Sequence, residues 1–369
     1  MTLAVCWSQQ FAIHDSGRAG LYLPVGGLIE DDVHVDSTAR ITRTRNLLRT
    51  TGIDDAATIL EPRKAVVEEV LRVHSEEHVQ RMQEVSEAGG GDAGGGYTPM
   101  DEHSYDLALL SAGSALTALD AVVSGGHPAH ALLRRSGHHA WRESGYGFCI
   151  FNNCAIVARA ARDELGLERV AVVDIDAHHG NGTEAIFYDD PSVLTVSLHQ
   201  DRSFPVETGG VESVGAGDAE GTNVNVNIPA GAGDPAYLDA FDRIVVPVLL
   251  EYSPQLVVVA CGVDASLFDP MARLGVTAAG FAGMAERLLG VAREVADGRL
   301  VSVQEGGYSP VYSPLCWLAF LETIGGLDVH EDPFEDFIAE QPTCRELAHW
   351  HVEANASTRK HLGPYWTSL

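Results

Sequence analysis

The chain has 369 residues, 45% hydrophobic and 21% charged, which is ordinary for a globular protein and enough to bury a core. Its formal net charge of −28, from 52 Asp and Glu against 24 Lys and Arg, repels nucleic acid and anionic membrane and attracts cations. No apolar run approaches the roughly 18–20 residues of a bilayer span. Residues 1–7 carry no basic segment ahead of an apolar one, and six scattered Cys without a C-x-x-C pair predict reduced thiols in a cytoplasmic protein.

In chain order, residues 65–87 read as helical. The stretch 104–124 sets Leu107, Leu110, Ala115, Leu119 and Val122 at helical spacing. Between them, Gly89-Gly-Gly-Asp-Ala-Gly-Gly-Gly96 is too short to separate domains and reads as a flexible surface loop. A short strand at 129–133 and a helix at 153–165 follow. Further strands are expected at 170–173, 193–197, 223–228, 256–260 and 300–304, with helices at 182–188, 236–251 and 278–296. Strands alternating with helices of this length imply a parallel sheet with helices on both faces, in one α/β domain spanning 1–369.

Chemistry-bearing residues gather where these strands stop. Asp174-Ile-Asp176-Ala-His178-His179-Gly180-Asn181-Gly182 follows Val170–Val173, and strand alternation lets Asp176 and His178 point the same way. A carboxylate and an imidazole at that spacing form half of a divalent-metal site. Gly137-His138-His139-Ala140, Gly147-Phe148-Cys149, Gly262-Val-Asp264-Ala-Ser266 and Glu305-Gly306-Gly307-Tyr308 each follow another strand. Taken singly, the His pair or Phe148 reads equally as core, Tyr308 reads more readily as a packing residue, and Asp264 as a helix cap. Together they supply three metal ligands, a base and an electrophile at one sheet edge.

These motifs, with Asn152-Asn153 and Val196-Ser-Leu-His199 in the same order over roughly residues 30 to 330, resemble the zinc-dependent histone deacetylase superfamily. Within it the chain is similar to the bacterial class II histone deacetylase-like amidohydrolases and acetylpolyamine amidohydrolases. The resemblance implies the arginase/deacetylase α/β fold, a central parallel sheet of about eight strands flanked by helices. It implies a catalytic Zn²⁺ on Asp176, His178 and Asp264, and active-site histidines His138 and His139 backed by Asp174 and Asn181. Tyr308 would bind the carbonyl oxygen, and Gly147, Phe148 and Phe204 would line the acyl-lysine tunnel. A structural K⁺ would sit on Asp174, Asp176, His178, Ser197 and Leu198.

Elementary chemistry agrees with those implied roles. Three protein ligands leave a coordination position open for water. Two carboxylates neutralise a divalent ion, so a nearby base is needed, with His139 the expected base and His138 its orienting or electrostatic partner. Zinc and Tyr308 would share the oxyanion. A neutral Asn181 raises the basicity of His139 less than an Asp would.

The expected reaction is hydrolysis of an N-acyl amide, such as acetyl-lysine or a small acetylated amine. A biosynthetic deacylase and a non-catalytic acyl-binding relative are the alternatives. A two-metal ureohydrolase of the same fold needs carboxylates where Gly180 and Ser266 stand. The expected partner is a small-molecule or peptidyl acylated amine, with a homo-oligomer left open. One departure concerns specificity: Arg135-Ser136 replaces the usual Pro-Pro, which predicts a substrate-facing cation at the pocket entrance or else an ordinary exposed arginine.

Overall fold

A computed structural model describes residues 3–14 and 16–369. Met1 and Thr2, part of the N-terminal stretch read for a leader, lie outside the described residues. The strands are β1 (Ala4–Cys6), β2 (Thr58–Leu60), β3 (Ala129–Ala131), β4 (Val170–Asp174), β5 (Val193–Gln200), β6 (Asn223–Ile228), β7 (Leu256–Cys261) and β8 (Leu300–Gln304). They form one sheet in the order β6-β5-β4-β7-β8-β3-β1-β2, every neighbouring pair parallel. The central strands β4, β7 and β8 are Val-rich and buried along their whole length, as β-branched residues covered on both faces should be.

This order creates the site. From β4 the chain moves outward to β5 and β6, and from β7 it moves the opposite way to β8. The connections therefore diverge at the carboxyl ends of β4 and β7 and leave a crevice there.

The main helices are α1 (Ala39–Thr50), α2 (Ser104–Gly125), α3 (Asn153–Asp163), α4 (Asn181–Phe187), α5 (Ala278–Val295) and α6 (Ser313–Gly325). Helices α2 and α3 pack together, α2 against β1, β3 and β8 and α3 against β4 and β7; α5 packs on α6, and α6 on α1. By length and composition α2 could cross a membrane, but 72% of its most apolar window is buried inside the fold. Its apolar surface covers the sheet.

Several expectations change in detail. The helix expected over 65–87 divides into Val67–Val70 and Glu76–Glu87, because the Ser75 hydroxyl accepts the N–H of His78 and starts a new helix. The helix expected over 236–251 contains a widened turn at Phe241–Val245 just before Pro247, which has no N–H to donate back along the helix. The glycine-rich stretch is a built turn: Gly90–Asp92 pairs antiparallel with Pro99–Asp101, and the Asp92 carboxylate accepts the N–H groups of Gly96 and Thr98. A Cβ on Gly94 would stand 2.1 Å from the Gly145 carbonyl oxygen, and one on Gly95 2.5 Å from the Tyr146 ring. Glycine is needed there because the turn lies directly on the segment before Phe148.

Candidate active site

Asp176 and His178 stand in the turn after β4, and Asp264 stands in the turn after β7. His178 Nδ1 lies 3.0 Å from Asp176 Oδ1 and 2.9 Å from Asp264 Oδ2. The ligand atoms of the three residues all lie within 4.8 Å of one another, and both carboxylates are fully buried. Backbone amides aim them: Gly306 N–H donates to Asp176 Oδ2 at 2.8 Å and Ala177 N–H to Asp264 Oδ1 at 2.6 Å. A Cβ on Gly262 would fall 2.1 Å from Asp176 Oδ2, and one on Gly306 2.2 Å from Asp264 Oδ2. The glycines of both motifs thus leave room for the carboxylates to converge. Two buried acids and one imidazole with a single facing nitrogen form a donor set that fits a divalent cation.

The paired histidines approach from the turn after β3, their ring centroids 3.9 Å apart. His138 Nδ1 lies 2.9 Å from Asp174 Oδ2, and its Nε2 faces Asp176 Oδ2 at 3.8 Å. Burial opposes charge on His138, but Asp176 and Asp174 outweigh it and raise the imidazole to about 10, before any cation shares those carboxylates. His139 is pushed the other way, by burial and then by His138 and His178. Its Nδ1 meets the Asn181 amide at 2.7 Å.

Tyr308 is held from behind. Asp269 Oδ2 accepts its backbone N–H at 2.6 Å, and the Arg40 guanidinium lies 5.4 Å from its ring centroid. Burial, then Asp264 and Asp176, push the phenol well above its ordinary value, so it stays a proton-bearing donor. His139, His178, Phe148, Phe204 and Tyr308 line a cavity of about 690 Å³. Phe148 meets Tyr308 edge-on at 5.8 Å, and Phe204 meets His139 edge-on at 5.2 Å. Gly147, at φ +53°, lets the chain pass where a Cβ would touch the His139 ring at 2.5 Å. Thr98, at the end of the glycine-rich turn, accepts the Phe148 N–H.

Behind the site, Ser197 is the register partner of Asp174 across β4 and β5, with Leu198 next along the strand. The second histidine of the Asp-Ala-His-His motif does not join the site. His179 turns to Thr208 and Glu184 instead.

Arg135 corrects an expectation. It is 1% exposed and does not line the cavity. Its guanidinium donates to the Pro99 carbonyl and to Ser104, 3.8 Å from Asp36, while Arg40 and Arg134 also pair with Asp36. The side chain runs inward beneath the glycine-rich turn, a direction that spacing along the sequence cannot reveal.

Four functional neighbours carried no readable signal of their own. Glu305 is fully buried and accepts the N–H groups of Gly137 and His138, which fixes the turn that carries the histidines; burial raises it to about 7. Asp269 holds Tyr308. Trp141 and Tyr146 stack at 5.8 Å, and Tyr146 stacks on Phe204 at 5.2 Å, forming three near-parallel rings from the mouth inward. Glu305 sits inside a recognised motif, so its position was legible even though its role was not.

A histone deacetylase domain model matches residues 34–324. The histone deacetylase-like amidohydrolase of Pseudomonas aeruginosa is 42% identical over 337 residues, covering 90% of this chain and 88% of that protein. Histone deacetylase 8 of Arabidopsis thaliana is 35% identical over 368 residues, covering 98% and 97%. The solved structure of the HDA15 HD domain superposes with a TM-score of 0.85 at 27% identity, covering all of this chain and 96% of that one. The eight-stranded parallel sheet is thus the arginase/deacetylase fold. The chain belongs to the histone deacetylase family and is a hydrolase of amide bonds.

Proposed function

We propose that the protein is a zinc-dependent deacetylase that cleaves an N-acyl amide, acetyl-lysine or a small acetylated amine, to the free amine and a carboxylate. The observation that carries this reading is the convergence of Asp176, His178 and Asp264 within 4.8 Å beside the Tyr308 cavity. Zinc held there supplies a Lewis acid for the amide carbonyl and acidifies a water. Phe148 and Phe204 flank the acyl chain and exclude solvent. The Tyr308 hydroxyl donates a hydrogen bond to the carbonyl oxygen as negative charge develops on it. The histidine pair takes a proton from the attacking water and returns it to the departing amine nitrogen.

The same proposal includes a structural K⁺ on Asp174, Asp176, His178, Ser197 and Leu198. It is supported by the register pairing of Asp174 with Ser197. A cytoplasmic setting is supported by the free, buried thiols of Cys6, Cys149, Cys154, Cys261 and Cys316. The protein's acidity favours a cationic or neutral amine over an anionic partner.

The test is the metal content of the purified protein, together with turnover of an acetyl-lysine peptide, an acetylated polyamine and a neutral acetylated amine. One zinc per chain, activity lost to a chelator and regained with zinc, and no metal in Asp264→Ala are the expected results. Two metals per chain, or full activity in Asp264→Ala, would overturn the reading.

A further inference from the structure

The loop of residues 201–213 between β5 and β6 carries Phe204, the cavity wall that stacks on Tyr146 at 5.2 Å and meets His139 edge-on at 5.2 Å. Its tip has little apolar packing to hold it: Val206 is 67% exposed, and Glu207 and Thr208 are exposed as well. Polar contacts hold it instead. Along β6, Asn223, Asn225 and Asn227 share one face, because strand side chains alternate in direction. Their NH₂ groups donate to the carbonyl oxygens of Ser213 at 2.7 Å, Gly210 at 3.2 Å and Gly209 at 2.9 Å. These rungs descend the loop as they ascend the strand, so the loop lies antiparallel along that face.

Glu184 in α4 ties the rungs to the turn after β4. Its Oε2 accepts the amides of Asn223 and Asn225, each at 2.7 Å, and lies 3.1 Å from His179 Nε2. His179 Nδ1 lies 2.9 Å from the Thr208 hydroxyl, and the His179 backbone N–H donates to the Phe204 carbonyl at 3.2 Å. Gly209, at φ +79°, lets the loop pass where a Cβ would stand 2.4 Å from His199 Nε2 and 2.8 Å from the His179 ring. The amide oxygens of Asn225 and Asn227 are buried with no partner among the described residues. Turning either amide over would set oxygen against oxygen at the loop, so the rungs form in this orientation alone.

We propose that Glu184 and the asparagine row are positioning residues that hold Phe204 at a fixed distance from the opposite cavity wall, and so select a slender, unbranched acyl chain. The inference rests on the deacetylase reading for the nature of that chain. None of the four side chains lines the cavity, so they act only through the loop. Hydrogen bonds are directional, whereas an apolar anchor can slide. A wall held by them keeps its place in the empty cavity, and substrate binding does not have to order it. Loosening the rungs therefore weakens binding first, and leaves the metal ligands and Tyr308 where they are.

The experiment compares Asn227→Asp, Glu184→Leu and Glu184→Gln with wild type, each as the zinc-loaded full chain. It reads amide hydrogen exchange in 201–213, metal content, and kinetics on one lysine peptide bearing either an acetyl or a branched isobutyryl group. Asn227 is half-buried, and an Asp there loses the donor to Gly209 and faces Asp201, so the variant should fold with its loop released. Exchange should quicken in 201–213 and nowhere else, with metal content unchanged. KM for the acetyl peptide should rise about fivefold, the scale of one hydrogen bond, with kcat within about twofold. The preference for acetyl over isobutyryl should narrow. Glu184→Leu should act in the same direction, while Glu184→Gln keeps an accepting oxygen and should match wild type. If Glu184→Leu fails to fold, Asn227→Asp decides by itself. Unchanged exchange, quicker exchange with KM unmoved, a loss confined to kcat, or Glu184→Gln as harmful as Glu184→Leu overturns the proposal. A wild type that hydrolyses no amide overturns the deacetylase reading and with it the selection of an acyl chain, while exchange still decides whether the rungs hold the loop.

Discussion

Tyr308 is 8% exposed, packed on Phe148, and held through its backbone by Asp269. Its ring position does not depend on its hydroxyl. Tyr308→Phe should therefore fold normally, bind the same metal and lower kcat by about 10²–10³, the usual loss for one oxyanion donor, with little change in KM. Steady-state kinetics beside elemental analysis checks this, and a change confined to KM would deny Tyr308 its assigned role. Gly306 gives a complementary test of the metal cradle. A methyl there would stand 2.2 Å from Asp264 Oδ2 and 2.5 Å from Asp176 Oδ2. Gly306→Ala should lose metal and activity together, and retention of both would show that the carboxylates converge more loosely than the geometry indicates.

At the scale of elements, two connections do more than join strands. The glycine-rich turn presses on Gly145 and Tyr146, and through Thr98 it holds the Phe148 N–H. Gly95 lies at φ +75° with its missing Cβ directed at the Tyr146 ring. Gly95→Ala should cost about 1–3 kcal/mol from strain and overpacking, and raise KM as Tyr146 shifts against Phe204. Chemical denaturation and kinetics measure the two effects. The second connection is the buried cluster that ties α1 to the segment after β3, in which Asp36 meets Arg40, Arg134 and Arg135. Burial works against an ionised Asp36, but the three guanidiniums outweigh it and hold the carboxyl well below its ordinary value. Asp36→Asn leaves buried cations without their shared anion and should destabilise by about 3–5 kcal/mol. Because the folded pKa is depressed, that stability is fully present above the unfolded value of about 4 and is lost as pH falls further. The advantage of wild type over Asp36→Asn should shrink in acid, and an advantage independent of pH down to strong acid would refute the pairing. Arg135 belongs to this cluster, so Arg135→Pro should change stability and leave the preference between cationic and neutral amides as it was.

Across the whole molecule, the sheet brings Asp176 and Asp264, 88 residues apart in sequence, to adjacent strand ends. Two fully buried carboxylates at hydrogen-bond distance from one imidazole repel each other; burial and then Asp176 raise Asp264 to about 6. A cation bound only by the folded state relieves this repulsion and stabilises by mass action, by about 4 kcal/mol at a thousandfold excess over Kd. Thermal unfolding with and without chelator should show a clear fall in Tm on metal removal, reversed by zinc. An unchanged Tm would mean that the trio holds no ion.

The strands β3 to β8 and the site motifs were legible because local chemistry specifies them. The valine-rich runs of β4 and β7 read as buried strands, and the glycines of the Gly262 and Gly306 motifs leave room for the carboxylates. The strands β1 and β2, three residues each, were not read from the sequence. The ligand trio, the histidine pair and Tyr308 could be named from residue type and order. The inward path of Arg135, the turning away of His179 and the bracing roles of Glu305 and Asp269 could not. Sequence by itself determined which groups meet, because covalent spacing and strand register restrict that. Tertiary structure decided which way each side chain points, because those choices follow from neighbours supplied by other elements.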